Sequence, residues 1–331
     1  MAGRIGLVLG STVGPEHLQS TARTAESAGF DEVWLSEDFF FSGGISGAEN
    51  VLSATTDVRV GLGVVSAMVR HPALLAMELS TIDRAHPGRL LPGIGLGVPG
   101  WMRQMGLMPD SPLTAVRECL AMVKRLLAGE SVTDAGRVFS ADGIQLTYPP
   151  EQPIPVRLGV SGPKMLQLSG ELADGSILSV GAGTAYVEWA RRQIDEGRRR
   201  SGRTDDHEIT VFTIYSVDED RERALALARS TLAFYKAAGG RNALTDVAGI
   251  SDQLEDMLVR GGADLVAAEM PEEWVDELTV AGTPDEVAGK IERLFASGAD
   301  SVALVPVDVT RLDQVIAATA RDVLPRLGTR S

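Results

Sequence analysis

The chain has 331 residues, 44% apolar and 23% charged, with a formal charge of −14 from 31 basic and 45 acidic residues. That length suits one large α/β barrel, and the acidic balance repels nucleic acid and anionic lipid, so neither is expected as a partner. No apolar run approaches the roughly 20 residues that cross a bilayer, the start MAGRIGLVLG lacks the pattern of a secretory leader, and a lone Cys119 excludes disulfide frameworks, so a cytoplasmic protein is expected.

Taken in chain order, β-branched apolar runs predict strands at residues 5–9, 33–36, 58–65, 90–96, 156–160, 176–180, 209–217 and 301–305. Helical patterns fall between them. His71-Pro72 opens one with proline in its first turn, and TAVRECLAMVKRLLAGE carries Cys119 on its apolar side as a small core residue. Another helix begins near Pro163. Thr283-Pro284-Asp285-Glu286 offers an N-cap threonine, a proline at N1 and a capping-box glutamate, and Gly298 stops the helix it opens. Eight strands alternating with helices predict an α/β fold, a (β/α)8 TIM barrel, as a single domain over residues 1–331. Two excursions interrupt the rhythm. Residues 131–155, with the turn pieces Asp142-Gly143 and YPPEQPIP, predict a small hairpin. The seventh barrel helix is expected to end near Ala238, and residues 240–282 predict a helical insertion over one barrel mouth, before the last βα unit.

In such folds ligands sit beyond the carboxyl ends of the strands, which places residues 64–66 and 95–97 at the site. Gly95-Leu96-Gly97-Val98-Pro99-Gly100 matches G-x-G-x-x-G, but Pro99 and the irregular WMRQMGLMPDSP after it argue against a dinucleotide-binding helix. The four histidines, His17, His71, His86 and His207, do not supply a hydrolytic metal centre, so no metal is expected. His71 reads as a residue of a helix start. There is no G-x-S-x-G elbow and no P-loop.

The ordered blocks AGFDEVWLSEDFF, VGLGVVSAMVRHPALLAMELSTIDR, GRLLPGIGLGVPGWMRQMGL and SGPKMLQLSGELADGSIL resemble the luciferase-like flavin and deazaflavin barrel superfamily. More narrowly, the chain resembles the methylenetetrahydromethanopterin-reductase-like oxidoreductases, which use coenzyme F420. The resemblance implies hydride transfer between F420 and a small organic substrate, usually in a homodimer. An FMN-dependent monooxygenase and a non-catalytic flavin-binding barrel are the alternatives.

The resemblance also implies roles. Ser36-Glu37-Asp38 stands where relatives commonly carry Ser-Asp-His, so Asp38 takes the place of the proton-transfer histidine, Glu37 that of the acidic residue beside the ring, and Ser36 lines the cofactor. Phe39-Phe40-Phe41 either walls a planar ligand or packs a loop. Gly63-Val64, followed by Val65, matches a cis peptide that supports the ring, and Gly95, Leu96 and Gly97 match backbone approaching it. Val98 replaces a glutamate found in deazaflavin sugar-phosphate dehydrogenases, which puts a sugar phosphate in doubt. Ser161-Gly162 and Gly181-Ala182-Gly183 each precede a helix, so amides and helix dipoles can converge there on the cofactor phosphate. Arg70, Arg103 and Lys164 are candidates for a basic strip along the anionic tail, and Trp34 and Trp101 are expected near the cofactor-facing end.

Overall fold

The computed structural model describes residues 3–328. The strands are β1 (Arg4–Leu9), β2 (Glu32–Leu35), β3 (Arg59–Leu62), β4 (Val65–Ser66), β5 (Leu90–Leu91) and β6 (Gly93–Gly95). They continue with β7 (Val132–Ala135), β8 (Ser140–Ile144), β9 (Arg157–Val160), β10 (Gly175–Leu178), β11 (Glu208–Val217), β12 (Val280–Gly282) and β13 (Ser301–Pro306). All pairings are parallel except that of β7 with β8.

The ring closes through β1, β2, β3, β5 and then β6, β9, β10, β11, β13 back to β1, with β4 paired to β6. Two of the expected strands are each broken in the middle. The third splits at the cis peptide Gly63-Val64, and the fourth splits at Pro92, which has no amide hydrogen to give the ladder. Counting each broken pair as one position, eight positions form the barrel.

Helices α1 (Leu18–Ser27), α2 (Gly44–Leu52), α3 (Pro72–Ala85), α4 (Pro99–Gln104), α5 (Pro112–Leu127), α6 (Pro163–Leu172) and α7 (Thr184–Ser201) follow the first six positions. Proline opens α3, α4, α5 and α6, where its fixed φ suits the first turn and its missing amide costs nothing. The segment read as irregular after Gly97 is thus the short helix α4, only six residues long. The hairpin of β7 and β8 lies in the expected excursion. Its turn is at residues 136–139, whereas Gly143 sits inside β8 at φ +64°.

The insertion begins earlier than the sequence suggested. Helices α8 (Arg221–Gly239), α9 (Ala243–Val247), α10 (Ser251–Glu269) and α11 (Glu272–Leu278) lead into β12, which extends the end of β11 by pairing Tyr215 with Val280. Helix α8 had the pattern of the seventh barrel helix, but its buried Leu225, Ala228 and Leu232 pack with Leu254, Met257, Trp274 and Val275 in a core of the insertion's own. The seventh barrel position belongs to α12 (Pro284–Ala296), whose Thr283 and Glu286 form the expected capping box. Helix α13 (Leu312–Ala318) follows β13.

The largest apolar cluster lies between strands and helices, and includes Cys119, whose thiol burial pushes up to about 12. Inside the barrel, Trp34 packs with Val8, Leu91, Ile177, Phe212 and Ala303. This corrects its expected place: Trp34 is fully buried in the barrel, and its Nε1 donates to Glu32 Oε2 at 2.8 Å. A side chain at Gly61 would put a Cβ 2.1 Å from the indole, so glycine there makes room for tryptophan. Glu32, joined by Arg4 (3.0 Å) and Arg59 (2.5 Å), closes the amino-terminal end of the barrel. No helix among the described residues is long and apolar enough to cross a membrane.

Candidate active site

The end of β2 carries the three expected residues, Ser36, Glu37 and Asp38, all half-buried. Asp38 receives a hydrogen bond from the Ser11 hydroxyl, just past the end of β1. The geometry leaves its carboxylate held by an uncharged donor. Glu37 is differently engaged. Arg70 donates to both its oxygens, at 2.8 and 2.7 Å, and the Gly44 amide at the start of α2 donates at 3.1 Å. Arg70 also reaches Glu78 at 3.1 Å, and the hydrogen bonds to Glu37 hold its guanidinium above the ordinary range. Glu37 therefore clamps the β2 loop to Arg70 and α2, and Arg70 is spent on carboxylates rather than free for a cofactor tail.

The phenylalanine run divides its tasks. Phe39 is buried, its ring 6.1 Å from Trp101, and Phe41 lies 6.4 Å from the same indole. Phe40 is 71% exposed and is the one non-glycine among the described residues with positive φ, +75°. A bulky residue seldom adopts that conformation without a reason in its surroundings.

At the next strand ends, Gly63-Val64 is cis and Val65 is buried. Val64 is the knob that fills the barrel below the mouth. A Cβ on Gly95 would lie 2.6 Å from Val64, and one on Gly159 2.7 Å, so those glycines make room for valine. Ser66 ties the two strand ends together by donating to the Leu96 carbonyl at 2.7 Å. Gly97 is left-handed at φ +97°, where it turns the chain towards α4.

The two glycine turns are brought side by side. Tyr186, in the first turn of α7, donates its hydroxyl to the Ser161 carbonyl at 2.5 Å. Gly162 and Gly183 are the N-cap residues of α6 and α7, and neither helix has a side-chain cap. The Cβ direction at Gly162 is open, with nothing within 4 Å, whereas at Gly183 it runs into the Glu277 carbonyl of α11. Gly181, Ala182 and Gly183 are buried; Ser161 and Gly162 are half-buried.

The insertion completes the site with residues that the sequence reading passed over. Tyr235, on α8, has its phenol pushed up by burial and then by the charge of Asp38. The next residue, Lys236, is 4% exposed, and burial pushes its ammonium down to about 8. Its Nζ lies against Gly181, 2.6 Å from where a Cβ there would stand. Helix α8 thus spans the mouth from the end of β2 to the end of β10. Lys236 falls in phase with Leu225, Ala228 and Leu232, and a charge on that apolar stripe was the signal available. Arg103 and Lys164 are exposed. His71 caps α3, accepting from the Ala73 amide at 3.2 Å. Among the described residues no group of three His, Cys, Asp or Glu could hold a metal.

The family described as luciferase-like monooxygenase matches residues 2–301. A 5,10-methylenetetrahydromethanopterin reductase of Archaeoglobus fulgidus is 30% identical over 319 residues, covering 94% of this chain and 95% of its own. An F420-dependent glucose-6-phosphate dehydrogenase of Nakamurella multipartita is 30% identical over 299 residues, 86% of this chain and 85% of its own. The coenzyme F420-dependent tetrahydromethanopterin reductase of Methanopyrus kandleri shares the fold, with a TM-score of 0.86 at 23% identity over 99% of this chain and 100% of its own.

Proposed function

The chain belongs to the luciferase-like monooxygenase family, and we propose that within it this enzyme transfers hydride between coenzyme F420 and a small organic substrate. The observation that carries the reading is the likeness, along most of the chain, to proteins named as F420-dependent.

The residues present fit a planar ring with an anionic tail. Val64, held by its cis peptide, and the aromatic group of Phe39 and Trp101 offer apolar surfaces at the strand ends. The Ser161-Gly162 turn is open at its Cβ direction, and among the described residues Lys236 has no counter-charge. A deazaflavin carries carbon where a flavin has its reactive ring nitrogen, so when bound it supplies a hydride and reacts poorly with oxygen.

The chain's own residues do the rest. Ser36 and the strand ends at Val65, Gly95, Leu96 and Gly97 line the ring, and the turns at 161–162 and 181–183 hold the phosphate through backbone amides. Asp38 accepts or returns a proton at its carboxylate, positioned by the Ser11 hydroxyl. Glu37, fixed by Arg70 and the Gly44 amide, keeps the Asp38 loop in place.

Titration with oxidised F420 and with FMN, following intrinsic tryptophan fluorescence, tests the assignment. Trp101, between Phe39 and Phe41, is the reporter. Tighter binding of F420 is expected. Micromolar FMN binding with none of F420, together with oxygenation of a substrate, would establish a flavin monooxygenase instead. Binding without turnover of any acceptor would leave a non-catalytic barrel. Sedimentation of the same samples tests the expected homodimer.

A further inference from the structure

Helix α8 is amphipathic, and the face it turns to the interior reads Leu225, Ala228, Leu232, Lys236. Three of these are what such a stripe requires; the fourth is an ammonium. Among the described residues Lys236 Nζ makes no hydrogen bond and no ion pair, and no carboxylate offsets its burial. An uncompensated buried charge costs several kcal/mol in general, so proteins seldom keep one without a use.

Its surroundings add to the positive potential instead of cancelling it. Nζ rests on Gly181, a left-handed residue (φ +79°) in the turn from β10 into α7. Helix α7 is 18 residues long, and its first-turn amides have no side-chain cap. Through the bond from Tyr186 to the Ser161 carbonyl, the uncapped start of α6 stands beside it. Two helix amino termini and one lysine thus gather positive charge in a chain of net charge −14; Asp276 and Glu277 of α11 also border the start of α7, but Asp276 is paired with Lys290 at 2.8 Å. Gly181 is needed for this. A side chain there would occupy the position of the ammonium, as well as straining the turn.

We infer that Lys236 is the cation of an oxyanion subsite at the carboxyl end of β10, taking a phosphate-class group. The inference rests on the reading of this mouth as a deazaflavin site, and it adds that the buried lysine, not the exposed Arg103 or Lys164, answers the negative charge of the bound molecule. The oxyanion belongs either to the cofactor tail or to the substrate, and the two sources respond differently to the same variants.

The first measurement compares F420 with the fragment that has the same ring and ribityl chain but no phosphate or glutamate tail, in wild type, Lys236→Met and Lys236→Arg. The second follows the lysine ammonium signals by nitrogen-15 NMR during titration with inorganic phosphate. The chain has only four lysines, at 124, 164, 236 and 290, so Lys236→Met assigns the signal directly. If the oxyanion is the cofactor's, Lys236→Met loses 10-fold or more of its affinity for F420 and none for the fragment, and Lys236→Arg recovers part. If it is the substrate's, the ratio of the two affinities stays as in wild type, while millimolar phosphate shifts the Lys236 signal. Folded variants with an unchanged ratio, and a Lys236 signal indifferent to phosphate, would overturn the inference. A wild type that prefers FMN to F420 strikes the proposed function instead, and FMN against riboflavin then replaces the first pair of ligands.

Discussion

Replacing Lys236 by methionine should stabilise the ligand-free protein, because it removes a charge that folding buries and leaves unpaired. The side chain that replaces it is unbranched and of similar length, next to Leu232. Burial lowers the ammonium from 10.5 to about 8. At about 1.4 kcal/mol per unit, that difference is worth about 3 to 4 kcal/mol. The sign follows from proton binding. Below pH 8 both folded and unfolded chains carry the proton, and the folded state bears the full cost. Between about pH 8 and 10.5 the folded state releases it while the unfolded state keeps it, so wild-type stability rises relative to the variant. Thermal unfolding of the ligand-free proteins should therefore show Lys236→Met melting several degrees higher at pH 7, with the gap narrowing by pH 9.5. If the oxyanion is the cofactor's, saturating F420 should reduce or reverse the gap at pH 7, because only wild type then gains a partner for the ammonium. A variant that melts lower than wild type, or a gap independent of pH, would refute the reasoning and make Lys236 a packing residue.

The other predictions concern the two sides of the site and its support. Asp38→Asn keeps an acceptor for the Ser11 hydroxyl but cannot take a proton; turnover should fall roughly 100-fold with cofactor affinity little changed, and a wild-type rate and pH profile would return Asp38 to a loop role. Gly162→Val projects a side chain into the open space at the α6 amino terminus, and calorimetry should find F420 bound weaker by about 1 kcal/mol or more in a protein that still folds; unchanged affinity would place the phosphate elsewhere. His207, bonded through Nε2 to Ser176 at 3.0 Å, is pushed down to about 3 by burial and by Arg198, Arg191 and Arg203. The unfolded chain protonates it below about pH 6.5 and the folded chain does not. It therefore subtracts about 2 kcal/mol at pH 5, and His207→Gln should flatten the loss of stability between pH 6.5 and 5 measured by urea unfolding.

Eight strand positions, the helices opened at Pro72, Pro163 and Pro284, the capping box at Thr283 and the two glycine turns were legible because each is a local signal, set by periodicity or by the backbone needs of a few neighbouring residues. The break at Gly63-Val64 was legible through family resemblance alone, since nothing in the composition distinguishes it from an unbroken strand. Helix α8 was misassigned for a related reason. Its pattern announces an apolar face but not which surface covers that face, and the covering residues, Leu254 to Val275, lie well along the chain.

What only the tertiary structure decided is which side chains meet. Glu37 finds Arg70 and Gly44, Gly95 yields space to Val64, and Trp34 turns into the barrel towards Glu32. Lys236 finds Gly181 and, among the described residues, no carboxylate. Such pairings depend on distances between residues remote in sequence, and the barrel's closure sets those distances. The sequence by itself determined where the strands end and hence where ligands approach; the charge balance at that end was decided only when the insertion brought α8 across the mouth.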